Sequence, residues 1–121
     1  MTTPSTKTGH FLPLTPAVFN VLLVLAEGDK HGYAILQSLS QRTKGEVRMG
    51  TGTLYGIIKR LLADGWIEEL DERPDPSLDD ERRRYYRLTS LGKAAASAEA
   101  ERLALLVASA RQQGLLPDPG R

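Results

Sequence analysis

Cysteine is absent from the 121 residues, which excludes a disulfide framework, a thiolate nucleophile and a cysteine-based zinc site. Only two histidines are present, His10 and His31, far apart in sequence, so no metal centre is expected. Missing too is any apolar run of the roughly 18 residues needed to cross a bilayer. Residues 1–10 are polar and lack the apolar stretch of an export signal, so the chain is expected to be cytoplasmic and to have no membrane partner. Neither sign of charge is in excess: the net charge is +1, too low for a histone-like protein that holds DNA by bulk charge. A nucleophile beside a base is lacking as well. His10 falls in a tail, His31 at a helix start, and the carboxylates concentrate in a loop, so no enzyme and no cofactor are expected.

What is present is ordinary globular composition, 40% hydrophobic and 26% charged residues, in a chain long enough for one modest core. The charges fall in blocks. Arg42, Lys44, Arg48, Lys59 and Arg60 face only Glu46, a balance of +4 from 42 to 60. From Leu61 to Glu81 the balance is −8, and Arg82, Arg83, Arg84 and Arg87 then restore +4. Two basic clusters flank an acidic one, and their positions matter more than the sum.

Residues 1–10 read as a tail without periodicity. Thr15-Pro16 signals a helix start, since threonine can cap the free amides and proline at the first helical position gives up a donor that had no partner. Leu14, Val18, Leu22, Leu25 and Ala26 follow at helical spacing, and Phe19, Val21 and Leu23 widen the stripe beyond what a small core needs. A second helix is expected from about Gly32 to Gln41, then a turn carrying Gly45 and Gly50 with a brief extended piece at Glu46-Val47-Arg48. A third helix carries Leu54, Ile57, Ile58, Leu61 and Leu62 on one stripe, with Thr51 or Thr53 as its expected cap and Gly65 as its stop. The period then drops to about two, with Trp66 to Leu70 and Arg84 to Leu88 forming a hairpin around a long Pro- and Asp-containing link. Thr89 or Ser90 caps a last helix that runs to about Gln113.

This order predicts a mainly α fold with a small β-hairpin: a winged helix-turn-helix plus a C-terminal dimerisation helix. The expected division is a tail over 1–10, the winged unit over 11–89, the dimerisation helix over 90–114 and a second tail over 115–121. In such a layout the third helix enters the major groove of double-stranded DNA. Opposite its apolar stripe stand Gly52, Gly56, Lys59, Arg60 and Ala63, with Thr53 and Tyr55 on the shoulders. Lys59 and Arg60 suit phosphates or a guanine edge, Thr51 and Thr53 bring hydroxyls to a helix N-terminus, and Tyr55 has a hydroxyl for a phosphate. Gly52 and Gly56 leave a bare strip of backbone for close approach. Tyr33 completes the expected DNA-binding set on the second helix, and Arg82, Arg83 and Arg84 on the wing.

His31-Gly32-Tyr33-Ala34-Ile35, Gly52-Thr53-Leu54-Tyr55 with Lys59-Arg60-Leu61, Gly65-Trp66-Ile67, Arg84-Tyr85-Tyr86-Arg87-Leu88-Thr89 and Gly92-Lys93 together resemble the PadR family of transcriptional regulators, in its short, single-domain form. The resemblance covers about Leu14 to Ala96. It implies a dimeric repressor, often of phenolic-acid or multidrug stress genes, whose last helix packs on its partner. One position departs from the pattern: the family usually has proline after the third-helix tyrosine, where Gly56 stands here.

The last helix bears Leu91, Ala95 and Ala98 on one line and Leu103, Leu106, Val107 and Ala110 on another, more apolar surface than one small domain covers. A homodimer interface is therefore expected at Phe19, Leu23, Leu103, Leu106, Val107 and Ala110. A small-molecule effector, if the protein has one, would be apolar or aromatic and would act at that interface. The alternative is a winged-helix module that docks on another protein through its charged blocks, without specific DNA binding.

Overall fold

The computed structural model describes residues 13–46, 49–70 and 84–118. Its order is α1 (Pro16–Ala26), β1 (Lys30–His31), α2 (Gly32–Arg42), α3 (Thr51–Ala63), β2 (Ile67–Leu70), β3 (Tyr85–Leu88) and α4 (Ser90–Gln112). This is the winged helix-turn-helix expected from the pattern, mostly helical with a small antiparallel sheet. The extended piece expected at residues 46–48 falls largely on Val47 and Arg48, which lie outside the described residues, as do the two outer tails apart from 115–118.

α1 begins as its sequence dictates: Pro16 lies in the first turn and the Thr15 hydroxyl accepts from the Val18 amide at 3.1 Å. Val21, Leu22, Val24 and Leu25 are buried on it. The surplus assigned to α1 is therefore smaller than the pattern suggested. Val21 is fully buried, because α1 runs through the middle of the molecule against α2, α4 and β3, while Phe19 and Leu23 remain half-buried.

The cap expected at Thr51 or Thr53 is a correction. Gly50 takes the N-cap position of α3 with extended backbone and no side-chain cap, so both threonines lie inside the helix with exposed side chains. Leu54, Ile58 and Leu61 are buried as the stripe requires, with Ile57 and Leu62 half-buried. Gly65, at φ +77°, ends the element in the left-handed region that glycine enters without a Cβ penalty.

The hairpin pairs β2 with β3 from Ile67 opposite Leu88 to Leu70 opposite Tyr85. A third strand, not expected, lies on the other edge of β3: Lys30 faces Tyr86 and His31 faces Tyr85, giving the order β1-β3-β2. The sheet thus fastens the start of α2 to the wing.

Thr89 closes the unit in two ways. Its hydroxyl accepts from the Gly92 amide to cap α4 and donates to the Gly65 carbonyl at 2.7 Å. The first half of α4 buries Gly92, Ala95 and Glu99; beyond Arg102 the helix leaves the body, and Leu105, Leu106 and Val107 are 73%, 55% and 36% exposed. No described helix is long and apolar enough to cross a membrane.

Candidate nucleic-acid interface

With Leu54, Ile58 and Leu61 fixed in the core, helical geometry aims Gly52, Gly56, Lys59 and Arg60 outward together, with Thr53 on the shoulder, while Thr51 is exposed because it opens the first turn. All six are exposed. The glycines are not demanded by internal packing, since a Cβ at Gly52 or Gly56 would meet no atom within 4 Å. With Gly50 as the cap residue, neither threonine hydroxyl is spent on capping, and the amide end of the helix dipole opens beside them. Arg60 reaches Asp64, half-buried one turn on, at 3.9 Å. This face can hold an anionic, backbone-accessible ligand: phosphates at its start, and phosphate or guanine acceptors at Lys59 and Arg60.

Tyr55 is placed differently from the other residues of α3. It is half-buried, and its ring and hydroxyl occupy the space where a Cβ on Gly32 would stand, so the phenol is seated on the first turn of α2. That turn is capped by His31, whose Nδ1 accepts from the Ala34 amide at 3.1 Å. Tyr33 is 58% exposed and stacks on the His31 ring at 6.5 Å between centroids, and Tyr85 meets the same ring edge-on at 5.3 Å. Tyr33 thus belongs to an aromatic cluster at the α2 start, beside the α3 face but not part of it. Behind it, burial, followed by the charge of Glu69, pushes the Tyr86 phenol above its usual range.

Of the three wing arginines, Arg82 and Arg83 lie outside the described residues. Arg84 stands at the foot of β3 with its guanidinium 3.4 Å from Glu69 on β2, so a phosphate contact from Arg84 would compete with that pair. Arg87, further along, clamps Asp29 through Nε and Nη2 at 3.4 and 3.1 Å and holds the turn before β1 to the sheet. Among the expected dimer residues, Leu106 and Val107 are exposed, while Phe19, Leu23, Leu103 and Ala110 are half-buried. Leu105, absent from the expected set, is the most exposed of the large apolar residues of α4.

Sequence reasoning also missed Glu99. Its side chain is 2% exposed, accepts from the Leu14 amide at 3.3 Å and takes a two-point contact from Arg102 at 2.9 and 2.7 Å. The Arg102 hydrogen bond holds the carboxyl below the usual carboxylate range despite burial. A signal was present: Gly92, Ala95 and Glu99 follow one another at spacings of three and four on the line that packs inward.

Comparison with known proteins gives the same architecture. The family described as "Transcriptional regulator PadR-like family" matches residues 21–98. An uncharacterised protein X of Lysinibacillus sphaericus is 40% identical over 74 residues, covering 61% of this chain and 65% of that protein. This chain therefore spans just under two thirds of that curated relative. A PadR family transcription regulator from Clostridium difficile is 25% identical, with a TM-score of 0.60 over 78% of this chain and 95% of that one. PadR of Bacillus subtilis, solved in complex with operator DNA, is 21% identical with a TM-score of 0.60, over 71% of this chain and 46% of that one.

Proposed function

The chain belongs to the PadR-like family of transcriptional regulators, and from that premise we propose that it binds a palindromic operator as a homodimer and represses the adjoining gene. The family is one of transcription factors, not enzymes. The observation that carries the proposal is the exposed face of α3, where Gly52, Gly56, Lys59 and Arg60 stand together opposite a buried stripe, with Thr53 on its shoulder and Thr51 exposed in the first turn. Two copies of that face enter successive major grooves, with half-site centres about 10 base pairs or a small multiple apart. Tyr55 and Tyr33 support the start of the reading head, and Arg82 and Arg83 add sequence-tolerant phosphate contacts from the wing.

The second copy is joined through the outer half of α4. Leu106 and Val107 are exposed on one side of it, Leu103 and Ala110 on the same side of α4 with Phe19 and Leu23 on α1 extend that surface, and Leu105, turned about 100° from Leu106, borders it. An apolar or aromatic effector acts between the paired helices by favouring one spacing of the two α3 copies, which requires unequal affinity for the free and DNA-bound shapes. The protein works in the cytoplasm, where its DNA is. The decisive experiment is selection of bound sites from a random duplex library. A palindrome with half-sites about one helical turn apart is the expected result; recovery of no preferred sequence would leave a protein-docking module as the better reading.

A further inference from the structure

The end of α4 is built to present leucine. Gly114, at φ +79°, turns the chain out of the helix, the Leu115 amide returns to the Ala110 carbonyl at 2.9 Å, and Arg111 Nε donates to the Pro117 carbonyl at 2.9 Å. The turn is thus fastened to the last helical residues, yet Leu115 is 75% exposed and Leu116 42%. At the other end of the molecule, Pro13, Leu14, Val18, Ile57, Leu61 and Trp66 line a partly open cavity of about 80 Å³ between the entry to α1 and the end of α3. It is well short of the roughly 300 Å³ at which sites for drug-sized ligands begin, and has room on the scale of one aliphatic side chain. We propose that Leu115 of one copy seats in this cavity of a second copy, so that each partner braces the other's recognition helix. This inference rests on the homodimer reading given above and gives that dimer a direction, with the two α4 helices antiparallel.

Register along α4 carries the argument. Leu14, in the cavity wall, is tied to the level of Glu99 by the 3.3 Å hydrogen bond from its amide. Leu106 follows Glu99 by seven residues, two turns of helix, so it stands on the face that the first half of α4 turns toward α1. A parallel pairing of two such faces would drive each α1 into the partner's helix. An antiparallel pairing sets each outer half beside the other's body instead. From a midpoint between Leu106 and Val107, Glu99 lies about 11 Å to one side, at about 1.5 Å per residue, and Leu115 about 13 Å to the other. Two-fold symmetry therefore brings Leu115 of one copy level with Glu99 of the other, and so with Leu14 and the cavity beside it.

The contact has a consequence for reading DNA. Ile57 and Leu61, in the cavity wall, belong to α3, whose opposite face carries Gly52, Gly56, Lys59 and Arg60. A leucine supplied by the partner packs behind the recognition helix, and the dimer completes a support that one chain lacks.

The protein has no cysteine of its own, so introduced cysteines report the contact directly. Pro13→Cys and Leu115→Cys both replace exposed residues. Mixed, allowed to exchange subunits and treated with a short bis-maleimide, they should join as one of each, while neither variant joins to itself. Leu115→Asp should weaken dimerisation in sedimentation by about tenfold or more. Leu115→Cys joining to itself would make the α4 helices parallel and overturn the inference. So would wild-type dimers whose mixed cysteines stay apart, or an unchanged dimer in Leu115→Asp. Cysteines that join only after residues 1–12 are deleted would give the cavity to the chain's own Phe11 or Leu12, again overturning it. Wild-type protein that sediments as a monomer would overturn the homodimer reading as well.

Discussion

The carboxylate of Glu99 accepts the backbone amide of Leu14 at 3.3 Å across 85 positions of sequence. A charged side chain in the interior thus fastens the entry of α1 to the middle of α4, and Arg102 keeps it ionised.

Glu99→Ala should lower stability by about 2–3 kcal/mol, since it leaves the Leu14 amide without its acceptor and Arg102 without its partner. Because the folded-state pKa is depressed, the contribution is complete above the usual carboxylate range and is lost as the pH falls through the folded value. Urea unfolding of wild type should therefore weaken in acid more steeply than that of Glu99→Gln. Parallel profiles would remove Glu99 from the acid response.

Two glycine substitutions should move stability in opposite directions. At Gly92 an added Cβ would collide with the Trp66 carbonyl and crowd the Leu88 side chain, so Gly92→Ala should cost about 3 kcal/mol or more. At Gly56 the same Cβ enters open space, and Gly56→Ala should gain about 0.5–1 kcal/mol from helix propensity. Thermal unfolding of the two variants separates these outcomes.

Lys59→Ala and Arg60→Ala should each weaken operator binding without unfolding the protein, both side chains being exposed. A lost phosphate contact lowers the slope of log affinity against log salt by about one unit; relaxed discrimination at a single base pair identifies a base reader. A variant unchanged in both quantities does not touch the duplex.

Leu106→Asp leaves the fold intact, because the residue is 55% exposed in one chain, and should yield monomers in sedimentation with operator affinity reduced at least about a hundredfold. Leu105→Asp should do the same. Dimers persisting in both variants would place the homodimer interface elsewhere.

The helices were legible because each carries its signals within a few residues: Thr15-Pro16 at the start of α1, the Leu54-Ile58-Leu61 stripe of α3, Thr89 before α4. The α3 cap was misplaced because Gly50, which has no side chain with which to announce itself, takes the position one residue before Thr51. β1 was invisible because two residues cannot show a period; Lys30 and His31 become a strand only through β3, more than fifty positions away. Val21 looked like surplus because sequence periodicity does not reveal that α4 and β3 cover a second side of α1. Glu99 was passed over because an isolated carboxylate is ordinarily solvated, and only the fold brings the Leu14 amide to it. The exposed face of α3, by contrast, follows directly from the helical phase of its buried residues.

The Gly92 contact has a mechanical side. The Trp66 carbonyl that forbids a side chain at Gly92 also accepts the Thr89 amide at 3.0 Å, and the neighbouring Gly65 carbonyl takes the Thr89 hydroxyl. Gly65 and Trp66 directly follow the Asp64 cap at the end of α3, while Thr89 is the N-cap of α4 and Gly92 lies in its first turn. The start of α4 is therefore held at one joint to the segment that follows α3. α4 rises about 1.5 Å per residue over its 23 residues, so it extends roughly 35 Å from this joint. Any displacement of the first turn of α4 must therefore break these contacts or carry with it the residues that follow α3.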